Sequence, residues 1–337
     1  MLFAESNLTT IFGQQHSAVS VVRMKQKKTQ LVVFVVAFAA LVAIVALVAR
    51  TGYGQSQVIE KTPTVQPLAL VEQKTTTAVA ASEKVSSLFA EAAARNTMLK
   101  YELSWAFGGK QQRGWYLYTP LISRLLKMES EAAGSDFASA LSRWQTTSGL
   151  RPSGVLDDET LYRMVSTWQG ARLKNKDYAT PDQLLQAPTS DFYDPTRPDA
   201  LRQVERETYA AYKRMVAAAA ADSSLGLKLT AAGELAPEEK FFKIVSSFRS
   251  REHQAQLRAQ SPGSGRAGLA VNSPHFTGRA LDLYVGGEPV ETKDSNRALQ
   301  VQTPAYRWLV ANAERFGFRP YYYEPWHWEY VGTDAVR

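Results

Sequence analysis

The sequence predicts an α+β domain at the C-terminal end, preceded by a small all-α domain of three helices and by one transmembrane helix. Three observations carry this prediction. Residues 31–49 are uniformly apolar, residues 119–165 carry three successive helical patterns, and the chain after residue 199 combines helical segments with β-branched segments typical of strands. At roughly 100–200 residues per domain, 337 residues are enough for two domains with extensions.

The composition excludes several classes of protein and of site. A hydrophobic content of 45% excludes a wholly disordered or collagen-like chain. The 39 basic and 32 acidic residues give a net charge of +7, but no long basic run follows residue 30, so a nucleic-acid partner is not indicated. The absence of cysteine excludes disulfides, thiol nucleophiles and cysteine-ligated zinc, so any metal must be held by Asp, Glu or the four His.

The first element is the apolar segment at residues 31–49, which contains no charged or polar side chain. At about 1.5 Å per residue it nearly spans a hydrocarbon core about 30 Å thick. Basic residues crowd its N-terminal side between positions 23 and 28, and only Arg50 follows it directly. The positive-inside rule then predicts a single-pass protein of the cytoplasmic membrane, with residues 1–30 in the cytoplasm and the remainder extracytoplasmic. A cleaved signal peptide, with translation starting at Met24, is the alternative, and it also exports the chain.

Residues 50–95 are predicted to be a tether, because residues 52–82 are rich in Thr, Gln, Val, Ala and Pro, with helical patterning beginning at about Val85. A helical domain is expected over residues 96–172. Its first helix is predicted to begin at Thr119-Pro120 with Thr119 as the N-cap, its second to cover residues 137–146, and its third to be capped by Asp157 or Asp158.

Residues 141–161, L-S-R-W-Q-T-T-S-G-L-R-P-S-G-V-L-D-D-E-T-L, resemble the three-helix peptidoglycan-binding domain. Ser153 departs from that pattern, because Asp is usual at this position. The resemblance implies binding to the glycan wall. The same apolar residues also suit the core of a small bundle with no ligand.

Residues 173–198 contain four prolines and predict a linker before a C-terminal domain at residues 199–337. We expect a long helix over residues 199–222 with Asp199 as its cap, an exposed loop at 223–239, and a strand at 241–247.

The candidate metal-ligating and catalytic residues lie in the last hundred positions of the sequence. His275 and His327 each lie near a carboxylate in a turn shaped by Gly or Pro, and Asp282 lies in an apolar strand where an unpaired charge is costly. Two imidazoles and one carboxylate with an open fourth position are typical of catalytic zinc. Glu324 precedes His327 by three residues, so a turn could direct both side chains to one centre.

Other hydrolytic sites can be excluded from the sequence. No serine is followed by lysine three positions later, which excludes the S-x-x-K nucleophile, and no G-x-S-x-G elbow occurs. The helical H-E-x-x-H zinc motif is also absent. Metal-assisted hydrolysis or acid/base chemistry remains.

The motif S-x-H-x-x-G-x-A-x-D, followed by E-P-W-H and preceded by aromatic-R-S-x-x-x-Q, resembles the VanY-type zinc D-alanyl-D-alanine carboxypeptidases. The likeness covers about residues 199–332 and includes the segment Thr303–Phe318, a capped helix closed by Gly317. It implies a zinc peptidase domain with a small antiparallel sheet. The wider group includes L,D-carboxypeptidases, D-Ala-D-Ala dipeptidases and phage endolysins.

Carried onto this sequence, the resemblance implies that His275, Asp282 and His327 are zinc ligands. Glu324 becomes the general base, and Arg249 becomes the cation that faces the scissile carbonyl.

Two further residues match family positions near the substrate, Ser273 and Gln254. Ser273 could equally be a turn residue and Gln254 a helix-surface residue. The insertion at residues 261–272 is expected to be a mobile loop that borders the substrate cleft.

The resemblance therefore implies a zinc-dependent enzyme that removes the terminal D-Ala from peptidoglycan stem peptides, and the apolar segment predicts that it acts in the cell envelope. Its expected partners are these stem peptides, the glycan wall and the cytoplasmic membrane. L,D-carboxypeptidase or endopeptidase activity on the same polymer is an alternative, and so is a non-catalytic wall-binding protein. The oligomeric state stays open.

Overall fold

The computed structural model describes residues 89–107, 109–129, 132–260 and 271–332. The predicted cytoplasmic segment, the apolar segment 31–49, most of the tether and most of the 261–272 insertion lie outside these residues. None of the helices in the described ranges combines the length and apolar character that a membrane span requires. The described residues all belong to one compact unit of the chain, residues 69–337.

The N-terminal part of the described chain combines helices with a short hairpin. Its elements are α1 (residues 89–102), β1 (Ser104–Phe107), β2 (Lys110–Arg113), α2 (Thr119–Leu125), α3 (Gly134–Thr147) and α4 (Asp158–Ala171). The prediction of an all-α domain is therefore wrong. Trp105 is buried while its strand neighbours Ser104 and Ala106 are exposed, and Gly109 takes a φ of 79° in the turn. This alternation of burial and the positive φ of Gly109 favour a hairpin over a helix.

The helix starts in this part differ in how well the sequence predicted them. Asp157 caps α4 as expected, because its side chain accepts a hydrogen bond from the Thr160 amide at 2.9 Å. Thr119 is instead the first residue of α2, and Tyr118 occupies the N-cap position. The Thr119 hydroxyl donates to the Tyr116 carbonyl, so the predicted cap is wrong by one residue.

Gln145, which belongs to the motif that resembles the peptidoglycan-binding domain, has a structural role. Its buried amide donates to the Val155 carbonyl at 2.9 Å and to the Thr160 hydroxyl at 3.0 Å, and its oxygen accepts from the Gly154 amide. These bonds hold the loop between α3 and α4. Wall binding by this part stays a prediction.

The segment after α4 leads into the C-terminal part through a second short hairpin. Strand β3 (Leu184–Gln186) pairs antiparallel with β4 (Gln203–Glu205), and α5 (Arg206–Ala220) follows. The predicted helix start at Asp199 is wrong, since Asp199–Leu201 forms only a 3-10 turn. The helix is capped instead by Glu205, whose carboxylate accepts from the Thr208 amide at 2.8 Å.

A four-stranded antiparallel sheet forms the centre of the C-terminal part. Its strands, in spatial order, are β5 (Ile244–Ser246), β6 (Ala280–Leu283), β8 (Glu324–Tyr330) and β7 (Phe318–Tyr321). The small antiparallel sheet is thus confirmed, although the predicted strand at 241–247 is regular only over Ile244–Ser246. Every side chain of β8 is buried, so this strand lies at the middle of the core.

Among the described residues, three further helices belong to the C-terminal part: α6 (Arg251–Gln260), α7 (Asp294–Gln300) and α8 (Pro304–Asn312). The predicted cap at Thr303 is confirmed, because its hydroxyl accepts from the Tyr306 amide at 3.2 Å. After a 3-10 turn, Gly317 ends the segment with a φ of 85°.

The N-terminal and C-terminal parts share one hydrophobic core. The rings of Tyr118 and Tyr322 lie 5.6 Å apart between their centroids. The Arg297 guanidinium donates to the Tyr118 hydroxyl at 3.0 Å and lies over the Tyr323 ring. The helical part therefore packs directly against the elements that carry the candidate site.

Candidate metal centre

The register of two neighbouring strands brings the first two candidate ligands together. Asp282 on β6 lies opposite His327 on β8 in the antiparallel ladder. Directly opposite residues on the same face have Cβ atoms about 4.5–5.5 Å apart. The Asp282 Oδ1 and His327 Nδ1 atoms lie 2.9 Å apart, and both side chains are buried.

His275 reaches the same point from the 3-10 turn Pro274–Thr277, just before β6. Ser273 caps this turn, and Gly278 ends it with a φ of 66°. A Cβ atom at Gly278 would lie 2.9 Å from the backbone nitrogen of Glu205, so only glycine fits between the turn and β4. The turn directs His275 Nε2 to within 3.3 Å of Asp282 Oδ2.

The three donor atoms fit a metal ion. One donor from each of His275, Asp282 and His327 can be chosen so that all lie within 4.8 Å of one another. Zinc bonds to His and carboxylate are about 2.0–2.2 Å long, and tetrahedral geometry then separates neighbouring donors by about 3.3 Å. Each histidine lies near that spacing from one Asp282 oxygen: His327 Nδ1 is 2.9 Å from Oδ1, and His275 Nε2 is 3.3 Å from Oδ2.

The remaining ring nitrogens are already occupied, which supports the same assignment. His275 Nδ1 lies 2.7 Å from the Ser247 carbonyl oxygen, and His327 Nε2 lies 3.2 Å from Glu329 Oε1. Since both partners can only accept, these nitrogens carry hydrogens. That leaves His275 Nε2 and His327 Nδ1 to face Asp282, as metal-ligating histidines require.

Glu329 has further partners from the N-terminal part. The Arg172 guanidinium forms an ion pair with Glu329 Oε1, and the Leu173 amide donates to Oε2 at 2.9 Å. Burial would raise the pKa of Glu329, but the hydrogen bond from His327 and the charge of Arg172 lower it to about 2. Glu329 is therefore a buried carboxylate anion that holds His327.

The two histidines have opposite protonation tendencies. Burial and the charge of Arg249 lower the pKa of His275 to about 4. Burial would also lower the pKa of His327, but hydrogen bonds to Asp282 and Glu329 raise it to about 9. A metal at His327 Nδ1 would have to displace the proton there, which is the usual linkage between metal binding and proton release.

Asp282 stays ionised despite complete burial. Burial favours the neutral acid, but His275, His327 and Arg249 all stabilise the anion and hold the pKa of Asp282 well below its usual range. The carboxylate is thus available as a negatively charged ligand.

Glu324 begins strand β8 and faces the same centre. Its Oε2 atom lies 4.0 Å from His327 Nδ1, and 7% of the residue is exposed. Burial raises the pKa of Glu324 to about 7, in spite of the opposing charge of His327. A carboxylate with a pKa near neutrality is well suited to accept and return a proton.

Arg249 lies beside the candidate ligands. Its guanidinium donates to Asp282 Oδ2 at 2.7 Å and to the Ser246 hydroxyl at 3.0 Å, and it is 9% exposed. Gln254 is buried and accepts from Arg249 at 3.4 Å, so it is not a helix-surface residue.

Ser273 acts as a turn residue, because its hydroxyl accepts from the His275 amide at 3.3 Å. Contact of either Ser273 or Gln254 with a substrate stays a prediction.

The sequence indicated the ligand set but not the groups that orient it. Glu329 could have been identified, because it lies two residues after His327 on the same strand face. No motif or local spacing in the sequence indicates that Arg172 or the Ser247 carbonyl contacts the site. Arg172 lies 157 positions from Glu329 in the sequence.

Comparisons with known proteins give a family match and a similar solved structure. Residues 201–333 match the family model described as VanY, D-alanyl-D-alanine carboxypeptidase. A solved structure titled "VanYB in complex with D-Alanine-D-Alanine" is 20% identical, covers 49% of this chain and 84% of its own, and gives a TM-score of 0.30. No curated protein matches the chain.

Proposed function

We propose that this chain, whose residues 201–333 match the VanY family model of D-alanyl-D-alanine carboxypeptidases, is a zinc-dependent enzyme that removes the terminal D-Ala from peptidoglycan stem peptides. The observation that carries this proposal is the convergence of three metal donors, from His275, Asp282 and His327, within the family-matched segment. Three protein ligands leave a coordination position open, as in catalytic rather than structural zinc sites.

Zinc would be held by His275 Nε2, an Asp282 carboxylate oxygen and His327 Nδ1, the atoms that face one another in the structure. When bound, zinc makes water a nucleophile at neutral pH and polarises a carbonyl oxygen. The protein contributes burial and fixed ring orientations, so little reorganisation is needed during the reaction.

Glu324 is the proposed general base. Its buried carboxylate lies next to His327 and takes up a proton from the attacking water. The same carboxyl group then delivers the proton to the amine of the departing D-Ala, as general acid–base catalysis requires. Burial of Glu324 supports this role, because it raises the pKa of the carboxyl group to about 7, where the group can both accept and release a proton at neutral pH.

Arg249 is the proposed partner of the charge that develops on the carbonyl oxygen. Its guanidinium is already fixed by Ser246 and by Asp282. A fixed cation beside the reacting carbonyl stabilises the transition state more than the ground state.

The test uses purified protein with zinc and defined muropeptides, and identifies the released residue by mass spectrometry. Release of D-Ala from pentapeptide stems, and its loss after treatment with a chelator, is the expected result. Release only from tetrapeptide stems would instead indicate an L,D-carboxypeptidase, and cleavage of cross-links would indicate an endopeptidase. Failure to hydrolyse any stem peptide would leave a wall-binding protein.

We also propose an envelope location, with residues 31–49 as an uncleaved anchor and the C-terminal part outside the cytoplasmic membrane. The basic residues before the segment support this topology, and the proposed peptidoglycan substrate requires it. Protease added to intact spheroplasts should remove the C-terminal part. Protection of that part would reverse the topology and make a wall substrate untenable.

A further inference from the structure

The end of helix α4 reaches the metal centre through a chain of three side chains. Arg172 directly follows α4, and its guanidinium pairs with Glu329 Oε1. The same Oε1 atom accepts from His327 Nε2 at 3.2 Å. One oxygen thus links the helical part of the protein to a candidate zinc ligand.

Arg172 is itself held in place by neighbours. Its guanidinium carbon lies 4.0 Å from the centroid of the Tyr321 ring on β7, and another nitrogen donates to Gln169 Oε1 at 3.0 Å. The Arg172 side chain is 15% exposed and that of Glu329 is 0% exposed. A stacked, hydrogen-bonded Arg is more rigid than a surface cation and makes a directional ion pair.

Removing Arg172 would leave the buried Glu329 carboxylate without the cation that pairs with its Oε1 atom. A buried carboxylate that loses its cation is strongly destabilised in that position. The side chain would shift toward water, and the His327 ring would lose the acceptor that fixes its orientation. The Leu173 amide, which donates to Oε2 at 2.9 Å, holds only the other oxygen.

We propose that Arg172 is a positioning residue for the metal centre, and that through Glu329 it keeps the His327 ring turned with Nδ1 toward Asp282. The helical part that precedes the family-matched segment is therefore a component of the site, in addition to any wall-binding role. This inference rests on the proposed zinc site and is independent of which stem peptide is cleaved.

The experiment measures the zinc dissociation constant of the full-length protein by competition with a chromophoric chelator. Arg172→Met removes the guanidinium and keeps an apolar stem, and Arg163→Met is the matched control at an exposed position of the preceding helix α4. Loss of a group that orients a metal-ligating histidine typically weakens metal binding 10–100-fold. We expect about tenfold or more for Arg172→Met and no change for the control. Equal zinc affinity in the two variants overturns the inference.

A double-mutant cycle separates positioning from general loss of packing. If Arg172 acts through Glu329, then Glu329→Gln weakens zinc binding and adding Arg172→Met to it causes little further loss. Additive losses would show that Arg172 acts by another route and would overturn the proposal.

Arg172→Lys keeps the positive charge without the stacked planar group, so it also serves if the Met variant does not fold. It should recover part of the lost zinc affinity, and a loss equal to that of Arg172→Met would contradict the ion-pair mechanism. The wild-type measurement separates a failure of the proposed zinc site from a failure of the positioning role of Arg172. A wild-type protein that binds no zinc refutes the proposed function itself, whereas normal zinc binding in both wild type and Arg172→Met refutes only the positioning role.

Discussion

The two histidines of the metal centre are supported in different ways. The His275 ring is held by a backbone carbonyl, that of Ser247, and its turn is capped by Ser273, two residues before it. The His327 ring is held by the side chain of Glu329, which depends in turn on Arg172 from the helical part. One half of the site is thus built within the C-terminal part, and the other half requires the two parts to pack together.

The electrostatic surroundings of the two rings differ for the same reason. A carbonyl oxygen orients His275 without adding charge, and Arg249 nearby helps lower its pKa to about 4. His327 lies between two carboxylates, which raise its pKa to about 9. A carboxylate partner also makes the ring a stronger metal donor, so the half that depends on packing is also the more basic one.

The largest expected effect, loss of bound zinc, should be the same for both histidines. His275→Ala and His327→Ala should both lose bound zinc, because two remaining protein ligands rarely hold it tightly. Elemental analysis of the purified variants gives the metal content, with His253→Ala as a control outside the donor set. Retention of stoichiometric zinc by either variant would remove that histidine from the ligand set.

Glu324→Gln should separate chemistry from metal binding. Gln is nearly isosteric but cannot accept a proton from water, so turnover should fall by roughly 10²–10⁴-fold while zinc content stays unchanged. Release of D-Ala and metal content are measured on the same preparation. A zinc-free variant would make Glu324 a ligand, and near-normal turnover would assign the base to another residue.

Gly278→Ala should lower the free energy of unfolding, because it distorts the backbone of the turn that carries His275. The new Cβ would meet the Glu205 nitrogen at 2.9 Å while φ stays at 66°. Gly149→Ala is the matched control, since its φ is 72° and its Cβ would meet nothing within 4 Å. The left-handed conformation alone costs about 1–2 kcal/mol, and overpacking adds about 1–3 kcal/mol at Gly278 only. The free energy of unfolding, measured in denaturant, should show this difference; equal losses would mean that β4 moves aside easily.

Ser273→Ala should produce the smallest effect. Loss of a capping hydroxyl costs about 0.5–2 kcal/mol, and the Ser247 carbonyl still fixes the His275 ring. Thermal unfolding and zinc affinity are compared with those of Ser190→Ala at an exposed position. A loss of activity far larger than the loss of stability would instead support the predicted contact of Ser273 with substrate.

Local patterns predicted much of the fold correctly. Asp157 and Thr303 cap their helices, and the strand around Asp282 lies inside an antiparallel sheet. The failures occur where pairing with distant segments overrides local preference. The start of α5 at Arg206 is set by the pairing of β3 with β4, and β1 with β2 forms a hairpin where helices alone were expected.

The sequence by itself determined which side chains could form the site. His275, Asp282, His327 and Glu324 are recognisable because their chemistry and spacing within short motifs are visible without a structure. The register between β6 and β8 and the pairing of Arg172 with Glu329 were decided only by the tertiary structure. The physical reason is the separation in sequence between the interacting residues. A cap or a turn is settled by residues a few positions apart, whereas an ion pair across 157 positions exists only once the two parts have buried a common core.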